Sequence, residues 1–413
     1  MIKLNLEGWY MMYNKIINSI KDRTILKKIK RKIISLISRF LLFFIKRFSK
    51  INNNQIIFLT FQGNYNCNAR AIVDEIIKEK LPYKMYWAVR KVNLEDKEQY
   101  PKELTIVRRD GFKFHKAVAT SKIIVDNSTN FAFMYLKKRP GQILLQTWHG
   151  SMGFKKLDPS SISDKDWVKK AQYVADSTDY VITNSTFEEG VFREGFWPNT
   201  PFLKYGHTRN DMLFNKNNEF EKYSKKVKKM YNIDKDAKIA LYAPTFRDNY
   251  SFDSYDLDYT KLKEALEKRF GGKWVILVRF HFRLRNLEIP EKYIDHVINA
   301  TSYNDMQELL CASDLGITDY SSWMCDYVLT KRPGFLYASD IEEYAHDERG
   351  FCYPLSSTPF GLAKNNEELY DKIINFDEKK YLKEVDKYLK RLGCYEKGDA
   401  SKKVVKKIKE LTK

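Results

Sequence analysis

Residues 314–337 read DLGITDYSSWMCDYVLTKRPGFLY, and this stretch decides how the chain folds. Its apolar runs predict two short strands, Leu315–Thr318 and Gly334–Tyr337, with a helix near Trp323–Leu329 between them. A strand, a helix and a second strand in this order are typical of a βαβ unit with parallel strands. The polar residues Thr318–Ser322 therefore lie at the carboxyl end of a strand, where such folds bind their ligands.

The same alternation of strands and helices extends in both directions from this unit. Further strands are predicted at Gln55–Phe61, Lys84–Val89, Leu104–Val107, Lys122–Val125, Gln142–Gln146, Tyr180–Thr183, Pro201–Lys204, Lys238–Tyr242, Trp274–Arg279 and Val297–Asn299. The polar, lysine-rich segment between about Phe214 and Ala237 predicts a connection that contains a helix. Two successive α/β sets of similar size favour an α/β fold of two facing Rossmann-like domains with a cleft between them.

Length and composition agree with a protein of this kind. The chain has 413 residues, of which 43 % are hydrophobic and 31 % are charged, as is typical of globular proteins. The length indicates two or three domains, since single cores stop growing at roughly 250–300 residues. A mean hydropathy of -0.53 argues against a polytopic membrane protein. The five cysteines include no CxxC pair, so neither a disulfide framework nor a zinc cluster is indicated.

The positive charge is concentrated at the start of the chain. Residues 1–50 contain 13 Lys or Arg against two acidic residues, so they carry +11 of the formal net charge of +20. The excess predicts an anionic partner, which could be a membrane, a phosphorylated substrate or nucleic acid.

The basic segment also contains an apolar run, Ile33–Ile45, which is shorter than the roughly 20 residues needed to span a bilayer. It predicts an amphipathic helix that lies among the headgroups of an anionic membrane. The side chains expected to enter the membrane are Ile37, Phe40, Leu41, Phe43 and Phe44. Two alternatives remain open: a helix packed on the protein's own core, and a basic arm that binds nucleic acid.

Polar clusters follow several of the predicted strands directly. They are Thr147–Ser151 (TWHGS), Gly206–Asp211 (GHTRND), Ala243–Asp248 (APTFRD), Arg279–Phe282 (RFHF) and Thr318–Ser322 (TDYSS). Because the carboxyl ends of parallel strands meet at one edge of a sheet, we expect these clusters to converge on the cleft.

The residue types in these clusters suit a phosphorylated substrate. Ser321 and Ser322 offer hydroxyls and backbone N–H groups to phosphate oxygens, although the same pair is an ordinary helix cap. Arginines at a cleft bind phosphate through two parallel hydrogen bonds. His149 and His281 each end a strand, one in each domain, and could transfer protons near neutral pH or be structural. No P-loop or GxGxxG motif is present.

The ordered set TWHGSMGFKKL, YGHTRNDML, YAPTFRDN, VRFH and ITDYSSWMCDYVLTKRPGFLY resembles the motifs of a known family. This is the CDP-glycerol:poly(glycerophosphate) glycerophosphotransferases, which are the teichoic acid primases and polymerases of bacteria. The resemblance covers roughly residues 55–375. It implies a GT-B fold, in which two Rossmann-like domains face each other across a cleft.

The resemblance also implies a site and a reaction. His149 and His281 occupy the positions of two catalytic histidines. The expected substrate-binding residues are Trp148, Gly150, Ser151, Arg209, Pro244, Thr245, Arg247, Arg279, Phe280, Ser321, Ser322 and Asp326. An acceptor hydroxyl would attack the donor's β-phosphorus with His149 as general base, while His281 with Arg279 or Arg247 stabilises the negative charge and CMP leaves. No metal ligand and no cofactor is assigned.

The implied organisation has three segments: a membrane-association leader at 1–52, an acceptor-side domain at 53–225 and a nucleotide-donor domain at 226–413. The implied donor is CDP-glycerol or CDP-ribitol, and the implied acceptor is a polyprenyl-diphosphate-linked saccharide or a growing polyol-phosphate chain. The protein would lie at the anionic cytoplasmic face of the bacterial membrane, and no nucleic-acid partner is expected. The product would be teichoic acid or capsule. The alternatives are a GT-B glycosyltransferase that uses a nucleotide sugar, a non-catalytic membrane scaffold and a nucleic-acid-binding protein.

Overall fold

The computed structural model describes residues 36, 40–94, 96–109, 111–135, 137–160, 162–245, 256–281, 296–342 and 350–413. Within these residues the strands form two parallel sheets, as the sequence predicts. The first sheet contains β1 (Asn52–Leu59), β2 (Lys84–Val89), β3 (Leu104–Arg108), β4 (Ser121–Asp126), β5 (Ile143–Gln146), β6 (Tyr180–Thr183) and β7 (Phe202–Lys204). The second contains β8 (Lys238–Tyr242), β9 (Trp274–Val278), β10 (Val297–Asn299), β11 (Leu315–Thr318), β12 (Gly334–Tyr337) and β13 (Gly361–Ala363).

The order of the strands is that of two Rossmann-like units. The first sheet runs β3-β2-β1-β4-β5-β6-β7 and the second β10-β9-β8-β11-β12-β13. In each sheet the order reverses once, between β1 and β4 and between β8 and β11, and ligands of such sheets bind at these reversal points. The predicted GT-B fold is confirmed.

Helices cover the faces of both sheets. In the described residues they are α1 (40–48), α2 (Cys67–Lys78), α3 (Phe112–Thr120), α4 (Lys165–Ser177), α5 (Thr186–Glu194), α6 (Glu219–Met230), α7 (Tyr259–Phe270), α8 (Met306–Ala312), α9 (Trp323–Tyr327), α10 (Asn366–Ile374), α11 (Glu378–Arg391) and α12 (Ala400–Leu411). Short 3₁₀ turns lie at Lys91–Leu94, Asn130–Tyr135, Thr208–Phe214, Val328–Thr330 and Leu355–Ser357. Because both faces are covered, the central strands are continuous apolar runs, such as the buried Ile56–Leu59 of β1.

Each half of the chain contributes a segment to the other half. Met152 and Phe154, which follow the first sheet's β5, are fully buried in the core of the second sheet. The Phe154 carbonyl accepts the N–H of Cys352 at 2.7 Å. In the reverse direction, Val404 and Ile408 of α12 pack into the core of the first sheet. These contacts cross between the two sheets and hold them together.

A buried polar network also joins the two halves. The Asp326 carboxylate on α9 accepts hydrogen bonds from the Arg209 Nε at 3.0 Å and the Asn210 Nδ2 at 2.9 Å. Arg209 is 5 % exposed and Asp326 is 2 % exposed, so the ion pair is shielded from water. The Asn210 amide also donates to Glu396, at 2.9 Å, just before α12. The network thus links the 3₁₀ turn after β7, the second sheet and the C-terminal segment.

Glu396 carries an unusual protonation equilibrium. Its Oε1 accepts the His207 backbone N–H at 3.0 Å, whereas its Oε2 has no hydrogen-bond partner among the described residues. Burial raises the pKa of Glu396 from its ordinary 4.5 to about 7, despite the nearby His207. The folded state therefore favours the neutral carboxyl.

The basic leader is described only from α1 onward, apart from residue 36. Ile37, which was expected to enter a membrane, lies outside the described residues. Leu41, also expected to do so, instead packs on the protein's own core with Leu42 and Ile45, because this face of α1 lies against the first sheet and α3. The opposite face of α1 is apolar and exposed. In the part of the chain that the structure describes, no helix has the length and apolarity needed to span a membrane.

Replacing Glu396 by Gln should make stability less sensitive to alkaline pH. Glutamine imitates the neutral carboxyl, whereas the wild-type carboxyl must ionise in a buried place as the pH rises through about 7. We expect the variant's melting temperature to exceed the wild type's by at least about 2 °C at about pH 8.5, with a smaller difference at about pH 5.5. Glu384→Gln, at a partly exposed site with the same charge change, is the control. An equal difference at both pH values would contradict the assignment.

Candidate active site

A cavity of about 870 Å³ lies between the carboxyl ends of the two sheets. Every predicted site residue that the structure describes lines it: Trp148, His149, Gly150, Ser151, Arg209, Pro244, Thr245, Arg279, Phe280, His281, Ser321, Ser322 and Asp326. The remaining predicted residue, Arg247, lies outside the described residues. Residues that the sequence did not single out also line the cavity, among them Asn66, Cys67, Lys155, Lys156 and Gln307.

The loop that carries His149 is held in a strained conformation. Trp148 has a φ of 50°, in the left-handed region that a residue other than glycine rarely adopts. Its backbone N–H donates to the Gln146 Oε1 at 2.8 Å, and its indole ring packs edge-on against Trp197 with ring centroids 5.3 Å apart. Packing and hydrogen bonding therefore maintain the turn before His149, whose ring also packs against Trp148 with centroids 4.8 Å apart.

The orientation of the His149 ring fixes its tautomer. The Nδ1 atom lies 2.7 Å from the backbone carbonyl oxygen of Asn127. Since a carbonyl oxygen only accepts hydrogen bonds, Nδ1 carries the proton and the neutral ring has its lone pair on Nε2. The ring also stacks on Phe61 with centroids 6.1 Å apart and 12° between the planes. Phe61 and Asn127 follow β1 and β4, so His149 sits at the reversal point of the first sheet.

Asp126 holds the loop that orients His149. Its buried carboxylate accepts the backbone N–H groups of Ser128 and Phe131, at 2.9 and 2.6 Å, and the Asn130 amide at 2.8 Å. Burial raises the pKa of Asp126 to about 6, against the effect of these hydrogen bonds. Residue types alone do not predict this role, because the link to His149 runs through the backbone carbonyl of Asn127.

Arg279 places a desolvated cation on the second sheet's side of the cavity. It follows β9, and its guanidinium donates to the Tyr303 carbonyl at 3.2 Å. Its Nε has no hydrogen-bond partner among the described residues, and burial lowers its pKa from the ordinary arginine value. A buried cation with a donor left over is suited to an anionic ligand.

The loops at the second sheet's reversal point are tied together by one carboxylate. Asp319 accepts the backbone N–H of Thr245 at 2.8 Å and that of Tyr320 at 2.5 Å, which joins the loops after β8 and β11. Ser322 is the residue before α9, and its side chain makes no capping hydrogen bond. The structure therefore does not use Ser322 as an ordinary hydroxyl cap. A Cβ added at Gly153 would lie 3.1 Å from the Ser322 Cβ, so the two halves meet closely here.

Arg209 and Asp326 form part of the cavity wall. The Arg209 guanidinium donates to the Gly150 carbonyl at 2.5 Å and also binds Asp326. Both carboxylate oxygens of Asp326 accept hydrogen bonds from the protein, from Arg209, Asn210 and Gln307. This arrangement joins the residue after His149 to α9 of the other half.

Acidic residues near the second sheet have structural contacts. Asp258 caps α7 by accepting the Lys261 N–H at 3.1 Å, and Asp256 accepts the Tyr337 hydroxyl at 2.9 Å. Across the ranges that the structure describes, no group of three or more His, Cys, Asp or Glu side chains is placed to hold a metal ion.

The chain is similar to proteins that make teichoic acids. A sequence model described as CDP-Glycerol:Poly(glycerophosphate) glycerophosphotransferase matches residues 41–410. The teichoic acid poly(glycerol phosphate) polymerase of Bacillus spizizenii is 31 % identical over 372 residues, which cover 86 % of this chain and 92 % of that protein. The Bacillus subtilis protein of the same name is 31 % identical over 380 residues, covering 87 % of this chain but 49 % of the longer protein.

A solved structure shares the complete architecture. The wall teichoic acid polymerase TagF matches with a TM-score of 0.78 and 26 % identity, covering 100 % of this chain and 98 % of that one. With the family match over most of its length, the chain belongs to the CDP-glycerol:poly(glycerophosphate) glycerophosphotransferase family.

Proposed function

We propose that the protein transfers a polyol phosphate from CDP-glycerol or CDP-ribitol to a hydroxyl group of a teichoic acid or capsule acceptor and releases CMP. The observation that carries the proposal is His149, whose Nδ1 is held by the Asn127 carbonyl in a cavity that is also lined by the buried cation Arg279. A positioned base and an anion site on opposite sides of one cleft are what phosphoryl transfer to a hydroxyl requires.

His149 is the proposed general base. Its Nε2 takes the proton of the acceptor hydroxyl as that oxygen attacks the β-phosphorus of the donor. The bond between the β-phosphorus and the bridging oxygen breaks, and CMP leaves with that oxygen and its electron pair. The Asn127 carbonyl holds the Nδ1 proton, which stabilises the imidazolium formed during the step.

The second half of the chain is the proposed donor side. Arg279, with His281 and Arg247, stabilises the negative charge that grows on the diphosphate and the departing CMP. Ser321 and Ser322 are the proposed phosphate contacts. The other proposed substrate-binding residues are Trp148, Gly150, Ser151, Arg209, Pro244, Thr245 and Phe280. Because the Asp326 oxygens already accept protein hydrogen bonds, we assign Asp326 the task of positioning Arg209.

The three segments of the chain receive separate tasks in this proposal. Residues 53–225 bind the acceptor, since they contain His149, and residues 226–413 bind the nucleotide donor, since they contain Arg279. The acceptor is a polyprenyl-diphosphate-linked saccharide or a growing polyol-phosphate chain, and residues 1–52 keep the protein at the cytoplasmic face of the membrane where such acceptors lie.

The reaction is tested with CDP-glycerol, CDP-ribitol and a nucleotide sugar on a lipid-linked disaccharide, analysed by product mass. We expect addition of a polyol phosphate with release of CMP. His149→Ala should lower kcat by about 10²–10⁴-fold, because general-base assistance contributes that much. His296→Ala, at an exposed histidine outside the cavity, is the control.

Two results would contradict this proposal. Addition of a hexose instead of a polyol phosphate would identify a glycosyltransferase. CMP release at the wild-type rate by a folded His149→Ala protein would remove His149 from the mechanism.

Membrane attachment is proposed to depend on the outer face of α1. Phe40, Phe43 and Phe48 are 59 %, 65 % and 76 % exposed, beside the basic residues Lys46 and Arg47. Aromatic side chains next to cations are typical of helices that lie in a bilayer interface. The inner face packs on the first sheet, so α1 is presented on a folded support.

Replacing Phe43 and Phe48 together by Ser should detach the protein from anionic vesicles. Both rings are exposed in the folded protein, so the change removes membrane contact and leaves the core intact. We expect at least about a tenfold loss in vesicle partitioning, measured by co-sedimentation. Met230→Ser, an exposed apolar site on α6, serves as the matched control. Unchanged partitioning of the double variant would exclude this face as the attachment surface.

A further inference from the structure

A second cavity lies at the opposite edge of the first sheet from the active site. It has a volume of about 490 Å³, and we call it the basic pocket. The lining residues that matter here are Lys50, Gln55, Lys84, Tyr86, Lys113 and Lys116. Lys84 begins β2 and pairs with Gln55 near the start of β1, so the pocket lies at the amino ends of the strands. The active-site cavity lies at their carboxyl ends, so the two are separate sites.

The basic pocket holds an uncompensated cluster of positive charge. Lys50, Lys84, Lys113 and Lys116 are all exposed, and no acidic residue is among those that line the pocket. In the ranges that the structure describes, none of the four lysines has an ion-pair partner within 4.0 Å, whereas many other lysines do, such as Lys78 with Glu75. Lys113 and Lys116 are three residues apart on α3 and therefore share one face of the helix. Their ammonium groups repel each other and the neighbouring lysines, and a bound anion would offset this repulsion.

The walls of the pocket are built from fixed groups. The Lys84 ammonium lies 5.4 Å from the centroid of the Tyr86 ring, a cation–π contact that orients the lysine. The Gln55 amide donates to the Thr120 Oγ1 at 2.6 Å and the Ser121 Oγ at 3.0 Å, which fixes the end of α3 against β1. Lysines on three elements, the segment before β1, β2 and α3, therefore face one concave surface.

The pocket adjoins the exposed aromatic face of α1. Lys50 follows the end of α1 by two residues, and Phe48 is the last residue of that helix. Leu41 and Ile45 of α1 share a core cluster with Phe114 of α3, so α1 and α3 pack on the same side of the sheet. Lys50 therefore lies next to the aromatic face of α1 in the chain, and α3, which carries Lys113 and Lys116, shares a core cluster with α1.

We propose that the basic pocket binds the phosphate headgroup of an anionic phospholipid when α1 lies in the bilayer interface. This inference rests on the membrane attachment proposed above and adds a specific lipid site to it. Ammonium groups are compact charges that suit a phosphate. Each lysine near an anionic surface contributes about a fivefold factor in binding, the equivalent of about 1 kcal/mol. The occupant is a lipid because the lysines adjoin the apolar face that would enter the membrane, at the edge of the sheet away from the reaction cavity.

The test compares the full chain with Lys113→Gln/Lys116→Gln on vesicles of equimolar phosphatidylcholine and phosphatidylglycerol. We expect the partition coefficient of this variant to fall by about tenfold or more. Lys379→Gln/Lys380→Gln, at two exposed lysines of the second half, makes the same charge change and should lie within about twofold of the wild type. An amine-reactive reagent should label Lys84, Lys113 and Lys116 of the wild type less when anionic vesicles are present, and equally with or without pure phosphatidylcholine vesicles.

The outcomes separate the pocket from the attachment proposal. If the wild type and Lys113→Gln/Lys116→Gln bind the anionic vesicles equally well, the basic pocket is not a headgroup site, and the proposed attachment through α1 stands. If the wild type binds no vesicles, the attachment itself is wrong and the headgroup site is lost with it. Loss of CMP release by the pocket variant on a soluble polyol-phosphate acceptor would show that the lysines hold the acceptor chain, which overturns the lipid assignment.

Discussion

The arrangement of the two sheets depends on the buried ion pair between Arg209 and Asp326. Water is excluded from both groups, so removing either partner would leave an uncompensated charge, at a cost of about 3–5 kcal/mol. Arg209 also binds the Gly150 carbonyl, next to His149, while Asp326 lies on the helix that follows Ser322. The pair therefore fixes the loop of the first sheet that bears His149 relative to the second sheet.

Each sheet contributes a different chemical group to the cavity. The first sheet provides His149, whose tautomer is set by the Asn127 carbonyl and whose loop is organised by Asp126. The second provides Arg279, whose burial leaves a cation with a donor atom to spare. In the proposed mechanism, acceptor activation and charge stabilisation come from opposite walls, so a substrate that binds between the two sheets meets both.

The sequence predicts the fold well because parallel strands buried on both faces consist of continuous apolar residues. Such runs can be recognised locally, without knowledge of contacts between distant residues. Among the described strands it misses only β13 (Gly361–Ala363), which is three residues long and has no distinct pattern. It also predicts that the strand-end clusters meet in one cavity. It does not predict that Arg209 pairs with Asp326, that α12 returns to the first sheet or that Leu41 faces the core, because these contacts join residues distant in the chain. The role of Asp126 acts through backbone geometry, which residue types do not reveal.

The proposed mechanism requires the protein to hold His149 as the Nδ1–H tautomer, so that Nε2 can take a proton from the acceptor. The most direct measurement is the ¹⁵N spectrum of the histidine-labelled protein, with the His149 signals identified by their loss in His149→Gln. At a pH where the ring is neutral, we predict a protonated Nδ1 and an unprotonated Nε2. A protonated Nε2 with an unprotonated Nδ1 would exclude His149 as the general base, since the nitrogen proposed to face the acceptor could then not take its proton.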